Sequence, residues 1–246
     1  MSNRMSAMRV RTLHPWDLPL AEAGRLQERL ALSVQEETFD PAGARYIAGL
    51  DVSSDKENPI LTAGVIVWDR ITEEIVDASS VQGTAPFPYV PGFLSFREAP
   101  VLLEALRALR IEPDILLVDG HGRAHPRRLG IASHIGLCVD VPTVGIAKSI
   151  LCGKGTEPAD RADAWTTLID DTEEVGRIVR TRKGVTPVIV SVGNRITLDG
   201  AVTLTLACCR GYRLPEPTRL AHQHVNLART TGKGLVPAGV EQMQLL

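Results

Sequence analysis

The chain has 246 residues, 44% hydrophobic and 23% charged, with 27 Lys and Arg against 29 Asp and Glu and a formal net charge of −2. This is the composition of an ordinary globular protein, so any phosphate-binding face must come from local clustering rather than overall basicity. Aromatics make up only 4%, which confines base stacking to one or two places, and no run approaches the roughly 18 to 20 apolar residues of a membrane span.

In chain order, Asp17–Val34 carries apolar residues at Ala23, Leu26, Leu30 and Val34, a helical stripe with Pro19 near its start. Three strand-like runs follow, Tyr46–Val52, Leu61–Trp68 and Glu74–Val81, and the short gaps between them predict an antiparallel meander. Val101, Leu102, Ala105, Leu106 and Leu109 predict a helix over Arg97–Arg110 with Pro100 in its first turn. Ile115–Val118 is a short apolar strand of the kind buried on both faces. A helix-length region and a strand over Val141–Ala147 complete a parallel crossover. Beyond Gly153 the signal weakens: Arg177–Thr181 and Val185–Val192 read as strands and Leu198–Cys209 as a buried helix. The expected organisation is one α/β domain over residues 1–229, with a flexible tail over 230–246.

The four cysteines, Cys138, Cys152, Cys208 and Cys209, form no Cys-x-x-Cys pair, and Met1–Val10 lacks the apolar core of a signal peptide. Reduced thiols and a cytoplasmic location are the expectation.

The most informative stretch is Asp119-Gly-His-Gly-Arg-Ala-His-Pro-Arg-Arg128, directly after the apolar strand. A strand ending on a carboxylate can hold a hard cation, glycines admit a ligand close to the backbone, and guanidiniums suit phosphate. Asp51 in the first strand and Glu98 in the helix between are two further carboxylates. On neighbouring strands about 5 Å apart such groups can share Mg²⁺, which takes a few carboxylates and keeps waters or a substrate phosphate. The pattern points to metal-assisted chemistry on a phosphate ester.

Three blocks, Ala48–Ser53, Pro88–Glu98 and Asp119–Arg128, resemble the signatures of the endonuclease V family of deoxyinosine-specific repair nucleases. Pro142–Ser149 and Gly211–Arg219 continue the resemblance, which runs in order from His14 to about Ala221. It implies an RNase H-like α/β fold, a mixed sheet with helices on both faces. It also implies Mg²⁺-dependent hydrolysis of the second phosphodiester bond 3′ to deoxyinosine in damaged DNA, leaving 3′-hydroxyl and 5′-phosphate ends. Mn²⁺ is the expected substitute metal, and the protein is expected to act as a monomer away from membranes.

Residue by residue, the resemblance makes Asp51, Asp119 and Glu98 metal ligands and catalytic carboxylates, and puts Lys148 near the scissile phosphate. Tyr89 belongs to a proline-stiffened wedge (Pro91 follows it) that fills the gap left by an everted base. Gly92, Leu94, Gly122, Ile131 and Gly145 align with the lesion pocket, where main-chain groups test the reversed polarity of hypoxanthine against adenine. His125 is expected at the everted nucleotide and His121 as a turn residue. Arg127 and Arg128, with Arg123 and Arg195, are candidates for phosphate contacts.

Two departures stand out. Asn194 occupies a position read as histidine in the family, which makes it a catalytic-site residue whose neutral amide can only hydrogen-bond. His222 replaces an acidic residue at a position read as peripheral. Two alternatives therefore stay open: an inosine-specific endoribonuclease acting on inosine-containing RNA, and, because of Asn194, an attenuated inosine-binding protein.

Overall fold

The computed structural model describes residues 8–54 and 59–237. Its elements are α1 (Leu20–Ala31), β1 (Tyr46–Ser53), β2 (Ile60–Asp69), β3 (Glu74–Thr84), α2 (Leu94–Arg107), β4 (Ile115–Asp119), α3 (Ile131–Val139), β5 (Thr143–Ala147), β6 (Ala164–Asp170), β7 (Glu173–Arg180), β8 (Val188–Asn194), α4 (Leu198–Ala207) and α5 (Glu216–Thr231). The strands form one mixed sheet in the order β3-β2-β1-β4-β5-β8-β7-β6. The β1–β3 meander is antiparallel, and β1, β4 and β5 run parallel. The β8–β7–β6 extension returns antiparallel. This is the expected RNase H-like arrangement.

Side chains alternate across the sheet with period two, so each strand feeds two cores. Ala48, Leu50, Leu116 and Val118 face α2 and α3. Ile47, Ile115, Leu117, Val144 and Ile146 face the opposite way, where α4 and α5 cover them. Helices therefore flank both faces. Among the described residues, no helix is long and apolar enough to cross a membrane.

The helix α2 starts at Leu94, three residues before the expected Arg97, so Pro100 stands inside it rather than in its first turn. A proline there cannot donate to the carbonyl four residues back. The buried stripe Phe96, Ala99, Leu102, Leu103 and Leu106 secures the helix regardless. The early start follows from the turn at Gly92, whose φ of 79° is left-handed and brings Phe93 round to open the first turn.

Two elements have no counterpart in the sequence reading. One, β6, is an edge strand in which Trp165 and Ile169 stay largely exposed, so its alternation does not read as a core strand. The other, α5, buries Pro217, Thr218, Ala221, His224, Val225 and Ala228. That stripe has helical spacing but little hydropathy, because α5 lies almost on the backbone of the sheet. A Cβ at Gly49 would stand 2.0 Å from the Pro217 carbonyl oxygen, and one at Gly64 would stand 2.9 Å from the His224 ring and from Val225 Cβ. Small residues are what such a close approach admits.

Helix α5 runs through Thr230 and Thr231, past the expected start of the tail, and ends on left-handed Gly232. The chain then turns back so that the Leu235 N–H donates to His224 Nδ1 at 2.8 Å. The remainder of the expected tail, 238–246, lies outside the described residues.

Candidate active site

Leu50 on β1 pairs with Val118 on β4, so the next residue of each strand, Asp51 and Asp119, stands beside the other. Both share the parity of Ile47 and Leu117, so both lean toward α5. There they meet His222. Ligand-capable atoms of Asp51, Asp119 and His222 lie within 4.8 Å of one another, and His222 Nδ1 donates to Asp51 Oδ2 at 2.7 Å. Lys148, just past β5, donates from Nζ to Asp119 Oδ2 at 2.5 Å. Arg213 braces the lysine from behind by donating to its carbonyl oxygen at 2.8 Å.

Glu98 comes from the opposite face, on the second turn of α2. Burial first, then the charge of Asp51, pushes its carboxyl up to about 8; Arg97 opposes the rise and Asp119 adds to it. Asp119 is also raised, chiefly by burial and by Asp51, with Lys148 pulling the other way. Its bond to Asp51 draws His222 toward the imidazolium. Three carboxyl groups thus crowd a poorly hydrated spot in which they cannot all be charged unless a cation joins them. That donor set, oxygen-rich with one imidazole, suits a hard or borderline divalent ion.

Beside the carboxylates opens a cavity of about 280 Å³, lined in part by Tyr89, Pro91, Gly92, Leu94, His125 and Ile131. None of the carboxylates lines it, but covalent spacing keeps it close to the acidic cluster. Leu94 and Glu98 are four apart on one face of α2. His121 follows Asp119 by two residues and Ser149 follows Lys148, and these two cavity residues are joined by the His121 Nε2 bond to the Ser149 carbonyl oxygen at 2.9 Å. Tyr89 is 44% exposed at the cavity, where it can meet a nucleic acid.

Six of the expected pocket residues thus meet at one cavity, but Gly122 and Gly145 do not line it. They lie beneath, where backbones touch: a Cβ at Gly122 would come 2.0 Å from the Val192 carbonyl oxygen, and one at Gly145 would come 2.3 Å from the Gly122 nitrogen. The imidazole of His125 is committed as well. Its Nε2 donates to the Gly92 carbonyl oxygen at 3.0 Å and its Nδ1 accepts from the Arg127 N–H at 3.2 Å. Burial and the neighbouring Arg127 lower its pKa to about 4, so it is a neutral clamp on the Gly92 loop.

The arginines divide similarly. Arg127 donates to Gln27 Oε1 and the Gly92 carbonyl oxygen and stacks 4.2 Å over the Phe93 ring. Arg128 pairs with Asp170 and Glu173, and Arg123 with Glu36 and Glu173. Arg195 pairs with Glu37 and Asp140.

Asn194 is not brought to the carboxylates. It pairs with Thr143 at the start of β5, whereas Asp119 pairs with Ile146 near its end. At about 3.3 Å per residue that is on the order of 10 Å away along the strands. Its amide is buried and satisfied, accepting from the Gln35 N–H at 3.0 Å and donating to the Gly136 carbonyl oxygen at 3.2 Å. The imidazole at the acidic cluster is instead that of His222, a central residue and not a peripheral one. The ground for an attenuated protein disappears with this placement. Sequence reasoning missed His222 because its helix was invisible; with α5 in place, His222 lies one residue past the buried Ala221 and four before Asn226, which bonds its Nε2 at 3.1 Å.

A family model described as Endonuclease V matches residues 28–223. An endonuclease V from Gloeobacter violaceus is 50% identical over 220 residues, 88% of this chain and 89% of that protein. The crystal structure of endonuclease V from Streptomyces avermitilis superimposes with a TM-score of 0.84 at 39% identity, covering 91% of this chain and 98% of that one. The Ciona intestinalis endonuclease V, solved with a 24mer DNA containing an inosine followed by a ribo-adenosine, gives a TM-score of 0.75 at 25% identity over 87% of this chain and 99% of that one.

Proposed function

This chain belongs to the endonuclease V family, and from that premise we propose that it cuts DNA at deoxyinosine. The bond hydrolysed is the second phosphodiester 3′ to the lesion, leaving a 3′-hydroxyl and a 5′-phosphate. The observation that carries this reading is the junction of two features: an acidic cluster of Asp51, Asp119 and His222 with Glu98 nearby, and a base-sized cavity opening beside it. An enzyme acting next to an everted base needs both.

Asp51, Asp119 and Glu98 would hold Mg²⁺, with Mn²⁺ as a substitute. When bound, the ion supplies a nucleophilic water at neutral pH and stabilises charge on the phosphate. Lys148 Nζ rests on Asp119 and is free to turn a proton toward a phosphate oxygen. His222 keeps its Nδ1 proton on Asp51, and Asn226 against its Nε2 fixes the ring as the group that exchanges a proton beside the carboxylates. Tyr89 fills the gap left in the strand, while Gly92, Leu94 and Ile131 enclose the everted base. The site draws on elements from α1 to α5, so residues 1–229 work as one unit. The enzyme acts as a monomer and in the cytoplasm, a location that four free cysteines suit.

The test is a Mg²⁺-dependent digest of single-stranded oligonucleotides carrying deoxyinosine or deoxyadenosine at one position, resolved on a denaturing gel. We expect one cut, two phosphodiesters 3′ of inosine, absent with Asp51→Asn. Equal cutting of the adenine strand, or undiminished cutting by Asp51→Asn, would overturn the reading. A second reading, cleavage of inosine-containing RNA, is favoured by the ribo-adenosine that the Ciona relative accommodates next to inosine. It predicts faster cleavage when the nucleotide 3′ to inosine is ribose.

A further inference from the structure

A buried chain of hydrogen bonds runs from the N-terminal segment to the cavity. His14 Nδ1 lies 2.7 Å from the Pro15 carbonyl oxygen, His14 Nε2 lies 2.6 Å from His134 Nε2, and His134 Nδ1 lies 3.0 Å from Ser95 Oγ. Ser95 is one of the residues lining the cavity. The two imidazoles are packed by Trp16 and Phe96, so their rings have little room to rotate.

The direction of every proton in this chain follows from its first acceptor. Both imidazoles are neutral, since burial lowers each pKa, that of His134 well below its ordinary value. A neutral imidazole carries one N–H. The Pro15 carbonyl can only accept, so the His14 proton sits on Nδ1 and its Nε2 is a bare acceptor. His134 must then donate from Nε2, which leaves its Nδ1 bare. Its partner among the described residues is the Ser95 hydroxyl, which therefore donates its hydrogen to that nitrogen.

We propose that this relay makes Ser95 Oγ an obligate acceptor in the cavity, selecting a base whose facing edge carries a ring N–H. The proposal rests on the cavity being the lesion pocket. Hypoxanthine presents N1–H and gains a hydrogen bond from such an oxygen. Adenine presents a bare N1, and lone pair would face lone pair. Ser95 is thus a specificity-determining residue, and His14 and His134 are positioning residues that act through it.

The test is fluorescence-anisotropy binding in EDTA, where no cleavage occurs, of three single-stranded oligonucleotides carrying hypoxanthine, adenine or unsubstituted purine at one position. Purine has the bare N1 without the 6-amino group, so it isolates the ring nitrogen. Wild-type protein is expected to prefer hypoxanthine over purine. Ser95→Ala should shrink that preference about three- to tenfold, the loss of one neutral hydrogen bond, by weakening hypoxanthine and not purine. His14→Phe, which keeps the ring packing but frees the His134 tautomer, should shrink it too with Ser95 intact. Ser95→Thr, which keeps the hydroxyl, should restore it. Equal weakening of all three strands by Ser95→Ala, or an unchanged preference, overturns the inference. Wild-type protein that binds the three strands alike instead overturns the pocket assignment beneath it. If His14→Phe fails to fold by thermal melting, the Ser95→Ala and Ser95→Thr pair decides alone.

Discussion

Glu98→Gln should stabilise the metal-free protein while abolishing its metal response. The carboxyl of Glu98 is pushed up to about 8 from an ordinary 4.5 by burial and by Asp51. At about 1.4 kcal/mol for each tenfold change in proton affinity, that interval corresponds to a ceiling of roughly 5 kcal/mol. The sign follows from linkage. Between pH 4.5 and 8 the folded protein binds the proton and the unfolded chain has released it, so stability falls as pH rises through this window. Above pH 8 the folded protein carries the full cost of a buried carboxylate among like charges; near pH 4.5 it carries almost none.

Glutamine has the same shape and cannot ionise. In EDTA at pH 9, Glu98→Gln should therefore melt higher than the parent. Even half the ceiling, about 2.5 kcal/mol, moves Tm by roughly 5–10 °C for a chain of this size. At pH 5 the two proteins should melt within about 2 °C of each other. Adding Mg²⁺ at pH 8 should reverse the order, because the ion replaces the proton as partner to the three carboxylates and binds only the folded state. Paired thermal melts at pH 5 and pH 9, with and without metal, test this directly. A Tm difference independent of pH, or an equal metal response in both proteins, would refute the reasoning.

Three further outcomes follow from the site's layout. His222→Ala removes the group bonded to Asp51 Oδ2 and should lower the single-turnover cleavage rate by about 10²- to 10⁴-fold with little change in DNA binding by anisotropy. Asn194→Ala leaves the Gln35 N–H and the Gly136 carbonyl without their buried partner; it should cost about 1–3 kcal/mol, read as a lower Tm, yet leave cleavage per folded molecule within about threefold. Gly122→Ala puts a methyl 2.0 Å from the Val192 carbonyl oxygen; it should cost about 4 kcal/mol or more, read by circular dichroism as loss of the thermal transition or a large fall in Tm.

The parts of the fold that declared themselves in the sequence are those in which hydropathy decides the structure. Ile115–Val118 is apolar because both faces of β4 are covered, and the Val101–Leu109 stripe is apolar because α2 lies on a broad core. The β6 strand and the α5 helix stayed hidden for opposite reasons. An edge strand needs no hydrophobic face, and a helix pressed onto Gly49 and Gly64 has no room for one. The site divides along the same line. Asp51, Glu98, Asp119 and Lys148 sit on or directly beside elements that the sequence shows, so their convergence could be anticipated. The partner of Asp51 sits on the hidden helix, so His222 read as peripheral while Asn194, on a visible strand, drew the attention. Gly122 and Gly145 show that a glycine beside a pocket can be required by the backbone behind it and not by a ligand in front.

The acidic cluster also explains why its positive groups stand where they do. Lys148 holds Asp119 and His222 holds Asp51, so each aspartate has its own basic partner from the chain. Glu98 has Arg97 nearby, yet its carboxyl still rises to about 8, so at neutral pH it keeps its proton. The protein without metal thus sets Asp119 against Lys148 and Asp51 against His222, beside one neutral acid. Asp51, Asp119 and Glu98 together would hold a divalent cation only with Glu98 ionised, and the cation would then take over charge balance that Lys148 and His222 provide. Lys148 is 42% and His222 51% exposed, so both face the solvent side of the cluster, while Arg213 keeps the lysine backbone fixed. Substituting either aspartate should therefore remove at once a carboxylate that would hold the cation and the partner that places Lys148 or His222.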